Sequence, residues 1–263
     1  MARTRCLAAL LVLGSIAGTA QARSDIPWDG PYLGFNLGDA SSSTCNTWSL
    51  NSATLDSATA AEFHQRTCFT GGAFVGGVQL GENFQYRRLV LGVGADLDFG
   101  SARDRAQSLS YSGAALPAGT YVYSNRETPR GFAIIAPRIG YGGDTWMPYL
   151  KGGAVIAIGS HNNELTYTPT GAATPVASFS GGKSYSSTGW AAGGGFELGL
   201  NGAWSITAEY LHMSLGKGSD STSKCSGTVL ACAAFIGVTF NNTHEGFSAN
   251  VFRVGFTYWF QYW

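Results

Sequence analysis

The sequence predicts an all-β fold, an eight-stranded antiparallel transmembrane β-barrel with long loops at one end and short turns at the other. Three observations carry that expectation. Apolar residues recur with a period of two over eight segments. The connections between those segments are alternately long and short. The face opposite the apolar one is mostly glycine with a few charges.

Taken in order, segment 31–40 sets Leu33, Phe35 and Leu37 against Gly34, Asn36 and Gly38. Segment 72–81 follows, then 88–100, where Leu89, Leu91, Val93, Ala95, Leu97 and Phe99 oppose Gly92, Gly94, Asp96, Asp98 and Gly100. Segment 131–141 places Ile135, Ile139 and Tyr141 opposite Ala136, Arg138 and Gly140. It also contains Pro137, which removes a ladder hydrogen bond, so a bulge or register break is expected there. Segment 148–160 sets Leu150, Ile156 and Ile158 against Lys151, Gly153 and Gly159. In 188–200, Phe196 and Leu198 oppose Gly195, Glu197 and Gly199; in 203–214, Ile206 and Tyr210 oppose Thr207 and Glu209. The last segment, 248–260, alternates Val254, Phe256, Tyr258 and Phe260 with Arg253, Gly255, Thr257 and Trp259.

Connections 42–71, 101–130, 161–187 and 215–247 are long and rich in Ser, Thr, Gly and Asn. They alternate with short ones at 82–87, 142–147 and 201–202. A soluble sandwich has no reason to alternate; a bacterial membrane barrel does, with four long external loops and short periplasmic turns. Parity alone does not say which face points outward. Glycine cannot build an aqueous exterior, whereas it fits the crowded interior of a small barrel. The charges then lie inside: Asp96, Asp98, Glu197 and Glu209 against Arg138, Lys151 and Arg253. A paired, hydrogen-bonded network filling the lumen is the favoured reading, and an ion or proton pathway the alternative.

The N-terminus reads as a signal peptide over 1–22: two arginines, an apolar run from Leu7, and Ala20-Gln21-Ala22 as the cleavage site. The barrel domain is then 23–263. Formal net charge is zero, which leaves no basic footprint for nucleic acid. Beyond the signal four cysteines remain, Cys45, Cys68, Cys225 and Cys232; an even count in an exported chain suggests disulfides, and four allow three pairings. Proximity favours Cys45–Cys68 and Cys225–Cys232. Zinc is the competing reading, but the spacings are not of the CxxC type, and no metal or other cofactor is expected.

"WDGPYLGFNLG", "GGVQLGENFQ", "LVLGVGADLDFG", "PRIGYGGDTWMPYLKGGAVIAIG", "GWAAGGGFELGLNGAWSITAEYLHMSLG" and "VFRVGFTYWF" occur in the order expected of the opacity-type, OmpA-like small outer-membrane β-barrel proteins. The chain resembles that family over nearly its whole length after the signal. The resemblance implies a location in the bacterial outer membrane, with lipopolysaccharide among the surrounding lipid. It also implies a C-terminal assembly signal read by the barrel assembly machinery, which Arg253, Gly255, Tyr258 and Phe260 fit in register. Family members commonly stop at the position of Phe260, whereas this chain adds Gln261, Tyr262 and Trp263.

Such a family shares a fold and not one activity. The leading expectation is a structural or surface-interaction role carried by the loops, whose ligand would be a host or envelope molecule. A narrow pore is second, resting only on the polar lumen. An outer-leaflet lipid A-modifying enzyme is third: "EYLHMSLG" holds Glu209, His212 and Ser214, but Leu215 stands where that enzyme family has Asn, and Glu209 faces away from His212. His64, His161 and His244 fall in the expected loops without a metal-ligand spacing.

Overall fold

The computed structural model describes residues 28–53, 55–100, 104–111, 116–200, 203–216, 221–227 and 232–260. The expected signal segment, the turn at Asn201-Gly202 and the Gln261–Trp263 extension lie outside the described residues. The elements are β1 (Gly30–Asn51), α1 (Ser57–Glu62), β2 (His64–Tyr86), β3 (Leu89–Gly100), β4 (Asp104–Tyr111), β5 (Gly119–Tyr141), β6 (Trp146–Pro169), β7 (Ala177–Gly199), β8 (Trp204–Leu215), β9 (Ser221–Gly227) and β10 (Thr239–Trp259). Strands β1, β2, β3, β5, β6, β7, β8 and β10 pair antiparallel in that order, and β10 returns to β1. The result is a closed eight-stranded barrel without an edge in its lower half.

Closure fixes the tilt. Following cross-strand partners from Ala40 through Val251, Leu211, Gly193, Lys151, Arg138, Gly92 and Asn83 leads back to Gly30, ten residues down the strand of departure. For eight strands that stagger corresponds to a tilt of about 40°. The outward face is apolar as expected. Phe35, Leu91, Leu150 and Phe252 are all exposed on the wall, and Leu89 to Phe99 on β3 spans a band about 25 Å tall. At its lower margin Tyr141, Trp146 and Phe196 stack in series, with Trp204 against Tyr258. That is the aromatic girdle of a membrane interface.

Two expectations are corrected. The four long connections are not mainly loops. β1, β2, β5, β6, β7 and β10 are 21–24 residues long, about twice what the hydrocarbon needs, and continue upward as a turret. The Ser/Thr/Gly/Asn-rich composition reads as loop because these strands face water on one side and lose the apolar half of the alternation. β4 keeps the β5 register that β3 establishes, and β9 bridges β7 and β10 at the top. The second correction concerns Pro137. It pairs with Val93 in unbroken β3–β5 register, and the β5–β6 ladder skips two pairs there and resumes unshifted at Arg138–Lys151. The shift on β5 falls instead between Pro129 and Gly131.

Both disulfides pair as proximity suggested: Cys45–Cys68 and Cys225–Cys232. The first joins directly opposed residues of β1 and β2 inside the turret wall. At the β1–β2 tip, Asp56 caps α1 by accepting from the Ala58 and Thr59 amides at 3.0 and 2.9 Å. Those bonds to the charged form hold its carboxyl below the ordinary Asp value.

Limited proteolysis of the bilayer-embedded protein distinguishes strand from loop. Cleavage is expected within 55–63, 170–176 and 232–238, with 42–51 and 64–71 resistant; early cuts in the latter two segments would restore the loop reading.

Candidate functional site

The inward face of the barrel stacks in layers. At mid-height Arg253 donates from Nε to Glu209 Oε1, from Nη1 to Asp98 Oδ2 and from Nη2 to Asp96 Oδ2, each at 2.7 Å. Lys151 Nζ reaches Asp96 Oδ2 at 2.6 Å and Glu209 Oε2 at 3.0 Å. Tyr149 donates to Glu209 Oε2 at 2.7 Å. One step lower, Arg138 Nε donates to Asn83 Oδ1 at 2.7 Å and its Nη1 lies 3.6 Å from Glu197 Oε2. Its guanidinium covers the Tyr32 ring at 4.4 Å. Glu197 also accepts from Ser205 and from Trp259 Nε1. All seven charged residues read from the sequence therefore enter this layer, in two linked groups.

The glycine face has a specific job here. Arg253 stands opposite Gly38, Asp98 opposite Gly77, Arg138 opposite Gly92, Lys151 opposite Gly193 and Glu209 opposite Gly195. A Cβ on Gly38 would lie 2.2 Å from the Phe252 carbonyl and 2.7 Å from the Arg253 Cα. One on Gly77 would meet Asp98 Oδ1 at 2.5 Å. Long charged side chains cross the lumen because the facing residue has none.

Apolar layers bracket the ionic one. Below it Trp28, Tyr32, Val90, Met147, Tyr149 and Trp259 close the periplasmic end. Above it Ile134, Val155, Leu211, Met213 and Val251 pack with alanines across the lumen. Higher still, inside the turret, Trp48, Phe63, Tyr121, Tyr123, Tyr167, Phe179 and Phe240 form an aromatic core. Phe235, three residues past Cys232, inserts into its top, with its ring 5.3 Å from Tyr167 and 5.4 Å from Phe179. His244, expected in a loop, lies in β10 and shares a 3.0 Å hydrogen bond with Asn46.

Glu209, His212 and Ser214 do not come together as a catalytic group. Glu209 is buried in the lumen, while His212 and Ser214 lie on the outer face, where His212 bonds to Asn250 at 2.8 Å. The proposed terminal signal divides the same way. Arg253 and Gly255 point inward; Tyr258 and Phe260 point outward with ring centroids 4.9 Å apart. Sequence reasoning missed Asn83, Tyr32, Tyr149, Ser205 and Trp259 as partners of the ionic layer. The available signal was parity, since each shares the inward face of its strand.

A family model described as the outer membrane protein beta-barrel domain matches residues 7–260. The chain belongs to that family. The 31 kDa outer-membrane immunogenic proteins of Brucella melitensis biotype 1 and Brucella suis biovar 1 are each 30% identical to it over 220 residues, covering 82% of this chain and 84% of theirs. Among solved structures, the outer membrane protease OmpT of Escherichia coli aligns with a TM-score of 0.41 at 10% identity, covering 88% of this chain and 97% of its own. Ail, the attachment invasion locus protein of Yersinia pestis, aligns with a TM-score of 0.28 at 11% identity, covering 86% and 99%. This outer-membrane barrel thus has a bacterial outer-membrane location, and its apolar band lies in lipid.

Replacing Arg253 by Met removes the cation that pairs Asp98 and leaves Asp96 and Glu209 with Lys151, and the expected loss is about 3–5 kcal/mol. The urea midpoint of the detergent-embedded barrel, read by the gel shift between heated and unheated samples, measures it. Gly38→Val is expected to prevent formation of the heat-modifiable form altogether.

Proposed function

We propose that this outer-membrane barrel is a sealed membrane anchor that presents a rigid external turret for contact with surface ligands. The observation that carries the reading is the turret itself: six strands continue past the apolar band, packed on a shared aromatic core, with one disulfide joining β1 to β2 and a second joining β9 to the segment that follows it. Holding a shape above the membrane costs backbone entropy of about 1–2 kcal/mol per ordered residue. A protein that served only to fill the envelope has no use for that order. The turret tips are the connections at the upper ends of these strands, 55–63, 170–176 and 232–238. The Brucella relatives are named as immunogenic, and on this chain the corresponding antibody-accessible part is the turret. The contacting ligand would be a host or envelope molecule, and assembly would begin with the barrel assembly machinery reading β10.

The pore alternative is disfavoured by the three packed layers, and the enzyme alternative by the separation of Glu209 from His212 and Ser214 across the wall.

In planar bilayers the purified barrel is expected to give no steady conductance above baseline. Refolded protein is expected to bind immobilised extracellular-matrix proteins or intact host cells, and to lose that binding when the three tips are replaced by short Gly-Asn turns. Undiminished binding by the tipless barrel would remove the turret from the function; steady single-channel currents would restore the pore.

A further inference from the structure

On β2, β3 and β6 the outward apolar face runs up through Phe74, Phe99 and Ile158. On the wall formed by β8, β10 and β1 it stops at Tyr210 and Phe252, which are cross-strand partners. The next two rows of paired outward residues are wholly polar: His212, Asn250 and Ser41, then Ser214, Ser248 and Ser43. A groove of about 510 Å³ opens there, lined by Ser43, Ser214 and Ser248 together with the ion pair of Arg66 and Glu245. We take these polar rows, which end the apolar band on this wall, as the level of outer-leaflet headgroups.

The patch is pre-ordered. Asn250 Oδ1 accepts from the Tyr210 hydroxyl at 2.8 Å and from His212 at 2.8 Å when the imidazole proton is on Nδ1. Both acceptor directions of that oxygen are then used, so the carboxamide is fixed with its Nδ2 hydrogens left for a ligand. His212 Nε2 is left as an acceptor beside them. The Trp190 ring stands 5.4 Å from the imidazole and adds a flat apolar surface. A donor on Asn250 and an acceptor on His212, with an aromatic ring and four serines on the same wall, match a sugar, whose hydroxyls both donate and accept. They do not match a bare phosphate. Among the described groove residues Arg66 is the one cation, it is already paired, and the Asp39 carboxylate lies on the same wall beside Phe252.

We propose that this wall is a binding site for the saccharide headgroup of an outer-leaflet glycolipid, whose acyl chains lie on the apolar rows beneath. The full-length barrel is immobilised in neutral detergent and loaded with rough-type lipopolysaccharide or with phosphatidylglycerol. Lipid retained after repeated washing is then quantified by mass spectrometry. Wild type is expected to retain the lipopolysaccharide and release the phosphatidylglycerol. Asn250→Ala is expected to retain about fivefold less, the loss of one net hydrogen bond, while Phe99→Ala on β3, separated from β1 by β2, retains as much as wild type. The gel shift on heating reports whether each variant is folded. Should Asn250→Ala fail to insert, His212→Phe keeps a ring against Trp190 and is expected to show the same loss. Equal retention by the folded wall variant overturns the site. Retention of phosphatidylglycerol that is lost in the same variant would make it an anionic-headgroup site and overturn the saccharide assignment.

Discussion

A strand in hydrocarbon has no water for its unpaired N–H and C=O groups, so the sheet has to close on itself. In this protein the seam between β1 and β10 meets that constraint, and most of the remaining architecture follows from it. Closing eight strands with a ten-residue stagger sets the tilt, the tilt sets the height of the apolar band, and the narrow bore sets what can stand inside. The terminal strand therefore carries aromatics on its outer face and Arg253 on its inner face for two separate reasons. Tyr258 and Phe260 belong to the membrane interface, while Arg253 belongs to the centre of the lumen.

The lumen shows how charge is tolerated at mid-membrane depth. Arg253 engages three carboxylates at once, Lys151 and Tyr149 both reach the Glu209 oxygen that it leaves, and Lys151 shares Asp96 Oδ2 with it. Burying these ions is costly, and their mutual attraction recovers that cost only with close geometry. The geometry in turn depends on glycine, because five of the charges project across a cross-strand residue with no side chain. Glycine in a strand interior ordinarily weakens it; here the space that it leaves is occupied by the ion cluster.

Above the membrane the same eight-stranded wall continues under different rules. Water satisfies exposed backbone, so closure is no longer compulsory, and β4 and β9 replace the upper ends of β3 and β8 with shorter pieces. What holds the turret is side-chain packing. Trp48 stacks on Tyr123, which bonds both Asn163 and Asn242, and Phe235 seals the top. The Cys225–Cys232 disulfide lies close by and restrains the segment that carries Phe235.

The sequence by itself determined the barrel, its strand number, the sense of each face and the seven lumen charges. A period-two alternation is a local property, and one lipid-facing side makes it legible residue by residue. It could not reveal the turret, because strands wetted on one face and packed on aromatics from distant segments show no sustained alternation. Trp48, Tyr123 and Phe240 are scattered in sequence and meet only when the barrel closes. The harmless passage of Pro137 and the partners of the ionic layer were likewise settled by tertiary structure. Each depends on which residue stands across the lumen or on the neighbouring strand, and a chain read in one dimension does not contain that pairing.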